Sequence, residues 1–260
     1  MGKFAARSAA PSEPGSAARS SPVSSPLATP VASAVFASRS ASRAGWLFAY
    51  DWDQLALQAL QRRGDARFDH AGFDLFSFPS NARLVGFDLE RFAQAQAARG
   101  RRRGWRAVLS HHEQFGALAA ALVAERLRLP GASPASICAA QHKLHARRVL
   151  QSVAPEANLA FADLEAHYGG EIPRGLAYPT FVKPVKAAFS VLAREVKSHA
   201  DLVAHTRFGR RELWVIRRLV EPFERVCRIR LPAAGTAHRM LLEEPMPPSM
   251  AQYNLDGYVQ

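Results

Sequence analysis

Tyr178-Pro-Thr-Phe-Val-Lys-Pro184 is the stretch on which the reading of this chain turns. Phe181 and Val182 favour a buried β-strand, and Pro184 pushes the residue before it, Lys183, into extended geometry. Lys183 is therefore expected at a strand end, with its ammonium aimed to one face of the sheet. A buried ammonium needs an anionic partner; taken alone, the same lysine also reads as a snorkelling surface residue. Upstream, a second cation lies in Ser136-Ile-Cys-Ala-Ala-Gln-His-Lys-Leu-His-Ala-Arg-Arg-Val-Leu150. This is expected to be one helix that carries Lys143, opens at Ser136 and is closed by Pro155. Downstream, Met240-Leu-Leu-Glu-Glu-Pro-Met246 leads into Gln252-Tyr-Asn-Leu-Asp-Gly-Tyr-Val259.

Around these segments the chain alternates strand and helix signals. Trp46–Tyr50 reads as a buried strand. A helix follows over Asp51–Leu60, with apolar residues at 52, 55, 56 and 60, and Gly64 ends it. Phe68–Asn81 is rich in breakers, Asp88–Ala98 is helical, Trp105–Ser110 is a strand and Glu113–Leu127 a helix. This predicts a small layered α/β unit with parallel strands over residues 45–128. Leu129-Pro-Gly-Ala-Ser-Pro134 is the domain boundary. Strands are then expected around Asn158–Phe161, Pro179–Lys183, Ser190–Val196, His238–Glu244 and Tyr253–Val259. Ser198-His-Ala-Asp201 has the spacing of a capping box and starts a further helix.

With 260 residues, 48% of them hydrophobic, the chain can bury a sizeable core. No apolar run approaches the roughly 18 residues needed to cross a bilayer. Cys138 and Cys227 lack metal-ligand spacing and read as reduced thiols of an intracellular, cytoplasmic protein. The formal charge of +12 raises the question of nucleic acid. Part of that excess is local, since residues 1–44 hold Lys3, Arg7, Arg19, Arg39 and Arg43 against Glu13. Arg101-Arg102-Arg103 reads as a basic block in a loop. No aromatic-interleaved basic stripe is legible, and a positive surface around a polyphosphate pocket accounts for the remainder. The Ser/Ala/Pro/Arg-rich residues 1–44 have too little apolar surface to offset the entropy of ordering, so a disordered tail is expected. Their acid-poor composition also fits an organelle-targeting segment.

Three pieces in this order and spacing resemble the ATP-grasp superfamily, specifically the ligases related to carbamoyl-phosphate synthetase and biotin carboxylase. They are Ala135-Ser-Ile-Cys with Lys143 and Arg147, then Tyr178 to Val185, then Leu241-Leu-Glu-Glu-Pro-Met246 with Tyr253-Asn-Leu-Asp256. The resemblance covers about residues 105–260. It implies a Rossmann-like unit at 45–128 followed by an incomplete ATP-grasp module at 129–260, with a lid over about 135–220. Lys143 and Lys183 match the family's two ATP-phosphate lysines. Glu243, Glu244, Pro245 and Met246 match the segment that bonds the adenine edge, and Gln252 falls near a ribose-binding glutamate. The implied activity is ATP-dependent ligation of a carboxylate to an amine or similar nucleophile through an acyl phosphate.

Two departures accompany the resemblance. The family follows the second lysine with a glycine-rich loop, where this chain has Val185-Lys-Ala-Ala-Phe-Ser190. Lys186 and Ser190 could compensate by direct phosphate contact, and Lys186 reads equally as a solvated surface charge. The family's Mg²⁺ ligands, a late acid and a Glu-x-Asn pair, are not found here. The chain is therefore expected to be a fragment or a truncated relative, inactive alone. Glu195, Glu212, Glu221 and Glu224 read as solvated charges. The alternatives are a non-catalytic nucleotide-binding or scaffolding module, and a basic nucleic-acid-binding protein. His111-His112-Glu113 lacks the second histidine of a zincin helix and reads as structural. The pair His142 and His145 lacks a carboxylate at metal-ligand spacing.

Overall fold

A buried carboxylate clasps the first sheet at one end. The computed structural model describes residues 42–64, 66–75, 79–164, 171–187, 192–247, 249 and 251. In it β1 (Ser42–Leu47) lies between β2 (Ala66–Ala71) and β3 (Trp105–Leu109), parallel to both. Asp69 of β2 is buried, and its carboxylate accepts hydrogen bonds from Trp105 Nε1 (2.6 Å) on β3 and Arg43 Nη1 (3.0 Å) on β1. Arg103 Nη2 donates a third at 2.9 Å. The hydrogen bond from Arg103, followed by those from Trp105 and Arg43, outweighs burial and holds this carboxyl well below the usual range.

The parallel strands expected from the alternation are present, with different limits. The strand expected at Trp46–Tyr50 is displaced upstream, because Phe48 takes a positive φ of 54° and ends extended geometry. β2 sits in the stretch read as breaker-rich. Its polar sequence, ARFDHA, hides an edge strand whose buried positions are Ala66 and Asp69. The helix α1 (Asp51–Arg63) ends as expected at Gly64, in the left-handed conformation. Its apolar residues do not form the buried face, however: Trp52 and Leu55 are 65% and 68% exposed, while Asp53 and Leu57 point inward. Asp53 accepts the Tyr50 N–H (3.0 Å) and pairs with His111 Nδ1 (2.6 Å), which anchors that side. The helix α2 (Leu89–Arg103) runs past the expected end, so Arg101–Arg103 form its last turn rather than a loop. Cations there oppose the negative end of the helix dipole.

The helix α3 (Phe115–Leu127) is apolar on most sides and lies at the centre of the larger core. Next comes a correction to the single helix expected from Ser136. Ser133, not Ser136, caps α4 (Pro134–Gln141) by accepting the Ser136 N–H at 3.0 Å. The helix then breaks at His142, whose Nδ1 accepts the His145 N–H (3.1 Å) and so caps α5 (Lys143–Val153). The break makes Lys143 the first residue of a new helix. Its backbone N–H donates to Val185 O (3.2 Å).

The second sheet is antiparallel, in the order β4 (Phe161–Leu164), β7 (Met240–Glu243), β5 (Thr180–Pro184), β6 (Arg194–Val196). Side chains alternate across a strand, and β7 shows it: Leu241 joins the larger core, whereas Met240 and Leu242 join a second cluster with Leu164, Val182, Val196 and Leu202. Ser198 caps α6 (His199–Thr206) by accepting the Asp201 N–H (3.1 Å), while Asp201 reaches back to the Lys197 N–H (3.0 Å). The helix α7 (Arg210–Arg230) is not among the expected elements, although Leu213, Ile216, Val220, Phe223 and Cys227 recur at helical spacing on both sides of Pro222. Its residues Val220, Phe223, Val226 and Cys227 enter the larger core beside α4 and α3. The strand expected at Tyr253–Val259 lies outside the described residues.

Gly45 tests how β1 meets β3. A Cβ there would stand 2.3 Å from Trp105 Cζ3. Gly45→Ala is expected to lower the unfolding free energy by about 2 kcal/mol through overpacking, read as a lower urea midpoint with an unchanged slope.

Candidate anion-binding site

Helix α5 and the second sheet bring two cations onto one carboxylate and a third close to them. Lys143 and Arg147 are four residues apart and share a helix face. Across the sheet Phe181 pairs with Glu243 and Lys183 with Leu241. The two-residue alternation therefore puts Lys183 and Glu243 on the same face as diagonal neighbours. Lys183 Nζ lies 2.6 Å from Glu243 Oε2, and Arg147 Nε donates to Glu243 Oε1 at 2.7 Å. Arg147 is held in place by Asn158, whose Oδ1 accepts from Nη1 (3.0 Å) and whose Nδ2 donates to the Arg147 carbonyl (3.1 Å). Lys143 Nζ has no carboxylate of its own among the described residues; it donates to Ala187 O at 3.1 Å.

The electrostatics leave this cluster short of negative charge. Burial would raise the Glu243 carboxyl, but hydrogen bonds from Arg147 and Lys183 and their charges hold it below its ordinary value. Lys143 is pulled down to about 8, first by burial and then by repulsion from Lys183, with Glu243 opposing. The two ammonium groups are thus near enough to feel each other, and a single carboxylate does not neutralise them together with Arg147. An added anion would favour the charged form of Lys143.

The other residues singled out in the sequence fall elsewhere. Lys186 is not a solvated surface charge: it is 3% exposed. Its ammonium donates to the side-chain oxygens of Gln114 and Gln141 and lies 4.5 Å from the centre of the Phe223 ring and 5.6 Å from that of Phe115. Burial, then repulsion from Lys143, pushes it down to about 7. Glu244 has an exposed side chain, and its N–H donates to Ala160 O (2.8 Å). Pro245 is half-buried and Met246 is 50% exposed. Ser190 and Gln252 lie outside the described residues. In the sequence Arg147 falls in the motif around Lys143 with no task given to it, and Asn158 only starts an expected strand; no sequence signal points to their hydrogen bonds with each other.

Several expected bystanders have partners. Glu224 Oε2 accepts the Ala237 N–H (2.7 Å), Glu212 accepts the Gly209 N–H (2.8 Å), and Glu221 binds Arg225 Nε (2.8 Å), so these three are not simply solvated. Cys138 and Cys227 are free and buried. Among the described residues no three His, Cys, Asp or Glu side chains gather to hold a metal ion, and no helix is long and apolar enough to cross a membrane.

No family model matches this chain, and no curated protein matches it. Among solved structures the chain is similar to an L-amino acid ligase from Bacillus licheniformis, with a TM-score of 0.52 and 16% identity. The match covers 79% of this chain and 44% of the ligase, so the chain spans less than half the length of that protein. At this identity the likeness is one of fold: a mixed α/β architecture with a parallel and an antiparallel sheet.

Two stability measurements follow from the buried charges. Glu243→Gln leaves Lys183 and Arg147 without a counter-charge, and a loss of about 2–4 kcal/mol is expected in denaturant unfolding. Lys186 titrates at about 7 when folded and near 10.4 when unfolded. The unfolded chain therefore binds more protons between those values, and stability from this group rises with pH across that window. Lys186→Met should flatten that rise, measured as unfolding free energy at pH 7, 8.5 and 10.

Proposed function

We propose that this chain binds ATP at the Lys143–Arg147–Lys183 cluster and serves the ATP-dependent ligation of a carboxylate to an amine or similar nucleophile. The observation that carries this reading is the uncompensated positive charge: Lys183 and Arg147 pair with Glu243, and Lys143 stands near them with no carboxylate of its own among the described residues. A polyphosphate supplies the missing negative charge, and lysines suit phosphate oxygens because an ammonium is a mobile point charge. The sequence resemblance to the ATP-grasp superfamily and the likeness of fold to an L-amino acid ligase support the same reading.

In this reading residues 45–128 are a Rossmann-like unit, 129–260 are an ATP-grasp module, and 135–220 form its lid. Lys143 and Lys183 hold phosphate oxygens, while Arg147 and Glu243 fix the position of Lys183. Glu244, Pro245 and Met246 border the adenine, Gln252 its ribose, and Ser190 the phosphates. ATP, when bound, supplies a phosphoryl group that activates a carboxylate toward an amine. This chain's own contribution is charge neutralisation and positioning. The described residues do not gather a set of magnesium ligands, so no step is assigned to that ion. Lys186, buried and bound by two glutamines, supports the loop around Ala187 rather than touching phosphate.

Isothermal titration of the full chain with ATP tests the reading. Lys183→Ala is expected to weaken binding by about 10- to 100-fold, the value of one charge-assisted hydrogen bond; equal affinity in both proteins, with matched thermal melts, would remove Lys183 from the site. The pH dependence has a defined sign. Because Lys143 binds an anion only when protonated and titrates at about 8, ATP affinity should fall as pH rises from 7 to 9. Lys143→Met should bind more weakly at pH 7 and lose most of that dependence.

A further inference from the structure

The outer face of α7 carries unneutralised arginines around an exposed tryptophan. Leu213, Ile216, Val220, Phe223 and Cys227 turn toward the two cores. Helical geometry then sends Arg211, Trp214 and Arg218 outward, flanked by Arg210 and Arg217. Trp214 is 51% exposed, and the four arginines are exposed as well. Arg210, Leu213, Trp214, Arg217, Arg218 and Glu221 border a shallow, open depression on this face. Arg218 stacks over the Trp214 ring with its guanidinium carbon 5.5 Å from the centre.

What distinguishes this half of the helix is the lack of counter-charge. In the other half Arg225 pairs with Glu221 (2.8 Å) and Arg230 with Glu125 (2.8 Å). Among the described residues none of Arg210, Arg211, Arg217 and Arg218 makes an ion pair. The two nearby acids are engaged, Glu212 with the Gly209 N–H and Glu221 with Arg225 and His238. The turn of this helix gathers four arginines around one exposed indole.

We propose that this face binds single-stranded nucleic acid, with a base stacked on Trp214 and phosphates held by Arg210, Arg211, Arg217 and Arg218. An arginine surface complements a phosphate chain, and an exposed indole offers stacking to any unpaired base. A duplex keeps its bases stacked on one another and cannot use that ring. A bilayer is a poorer fit, because an interfacial helix needs a continuous apolar face. Here Trp214, Val215 and Leu219 are the exposed large apolar residues of that half, set among the arginines. The inference is independent of the nucleotide site, which lies on α5 and the second sheet.

The test is fluorescence anisotropy of labelled 15-nucleotide oligo(dT) and oligo(U) strands with the full chain. A duplex of equal length and phosphatidylserine vesicles serve as comparisons. Trp214→Ala is expected to weaken single-strand binding about tenfold, and Trp214→Phe to restore most of it, since stacking survives. Replacing Arg211, Arg217 and Arg218 by serine should reduce the slope of log affinity against log salt by about 2, near 0.7 for each phosphate no longer neutralised. ATP should not compete with either strand. Unchanged affinity in both variants would move any binding to another basic segment and overturn the proposal. So would equal or tighter binding of the duplex, or binding of vesicles without oligonucleotides. All four residues are exposed, and matched circular-dichroism melts verify that the variants are folded.

Discussion

The pairing of Glu243 with both Lys183 and Arg147 is the interaction on which the candidate site depends. It joins β7, β5 and α5 through one buried carboxylate. Two charge-assisted hydrogen bonds offset the cost of burying that group, which neither strand nor helix could bear alone. The same arrangement leaves the cluster positive, because Lys143 enters the neighbourhood without bringing a carboxylate. Structural cohesion and affinity for an anion thus come from one set of charges.

Asp69 plays the corresponding part in the first sheet. There Arg43, Arg103 and Trp105 converge on one carboxylate across three strands and the end of a helix. The difference between the two clusters is informative. At Asp69 two arginines and an indole donate four hydrogen bonds to the carboxyl. At Glu243 two cations likewise pair with the acid, but a third, Lys143, lies near them with no carboxylate of its own among the described residues, and burial lowers its ammonium to about 8. A deficit of negative charge next to a half-buried lysine marks a place for a ligand more sharply than the presence of lysines does.

The break between α4 and α5 is the local event that positions Lys143. A continuous helix from Pro134 would carry residue 143 in mid-helix with its N–H bonded within the helix. Instead, His142 leaves helical geometry and caps the next helix, so the Lys143 N–H is free to meet Val185 O. Lys186 supports the same junction from below, tying the last residue of α4 to the residue before α3 through two glutamine side chains.

Much of the element order was legible in the sequence, because helix periodicity, the proline after Lys183, the Ser198 cap and the Gly64 stop all act over a few residues. The segments bearing Lys143, Lys183 and Glu243 could be named for that reason. What the sequence could not decide was which charges would meet. Whether Lys186 faces water or a core of Phe115 and Phe223 depends on where α3 and α7 pack. Whether Trp52 is buried depends on Asp53 finding His111. The partners of Glu243 follow from the register between β5 and β7, set by residues far apart in the chain. Short-range stereochemistry is written in neighbouring residues; the pairing of buried charges is a long-range result of packing, and only the tertiary structure fixes it.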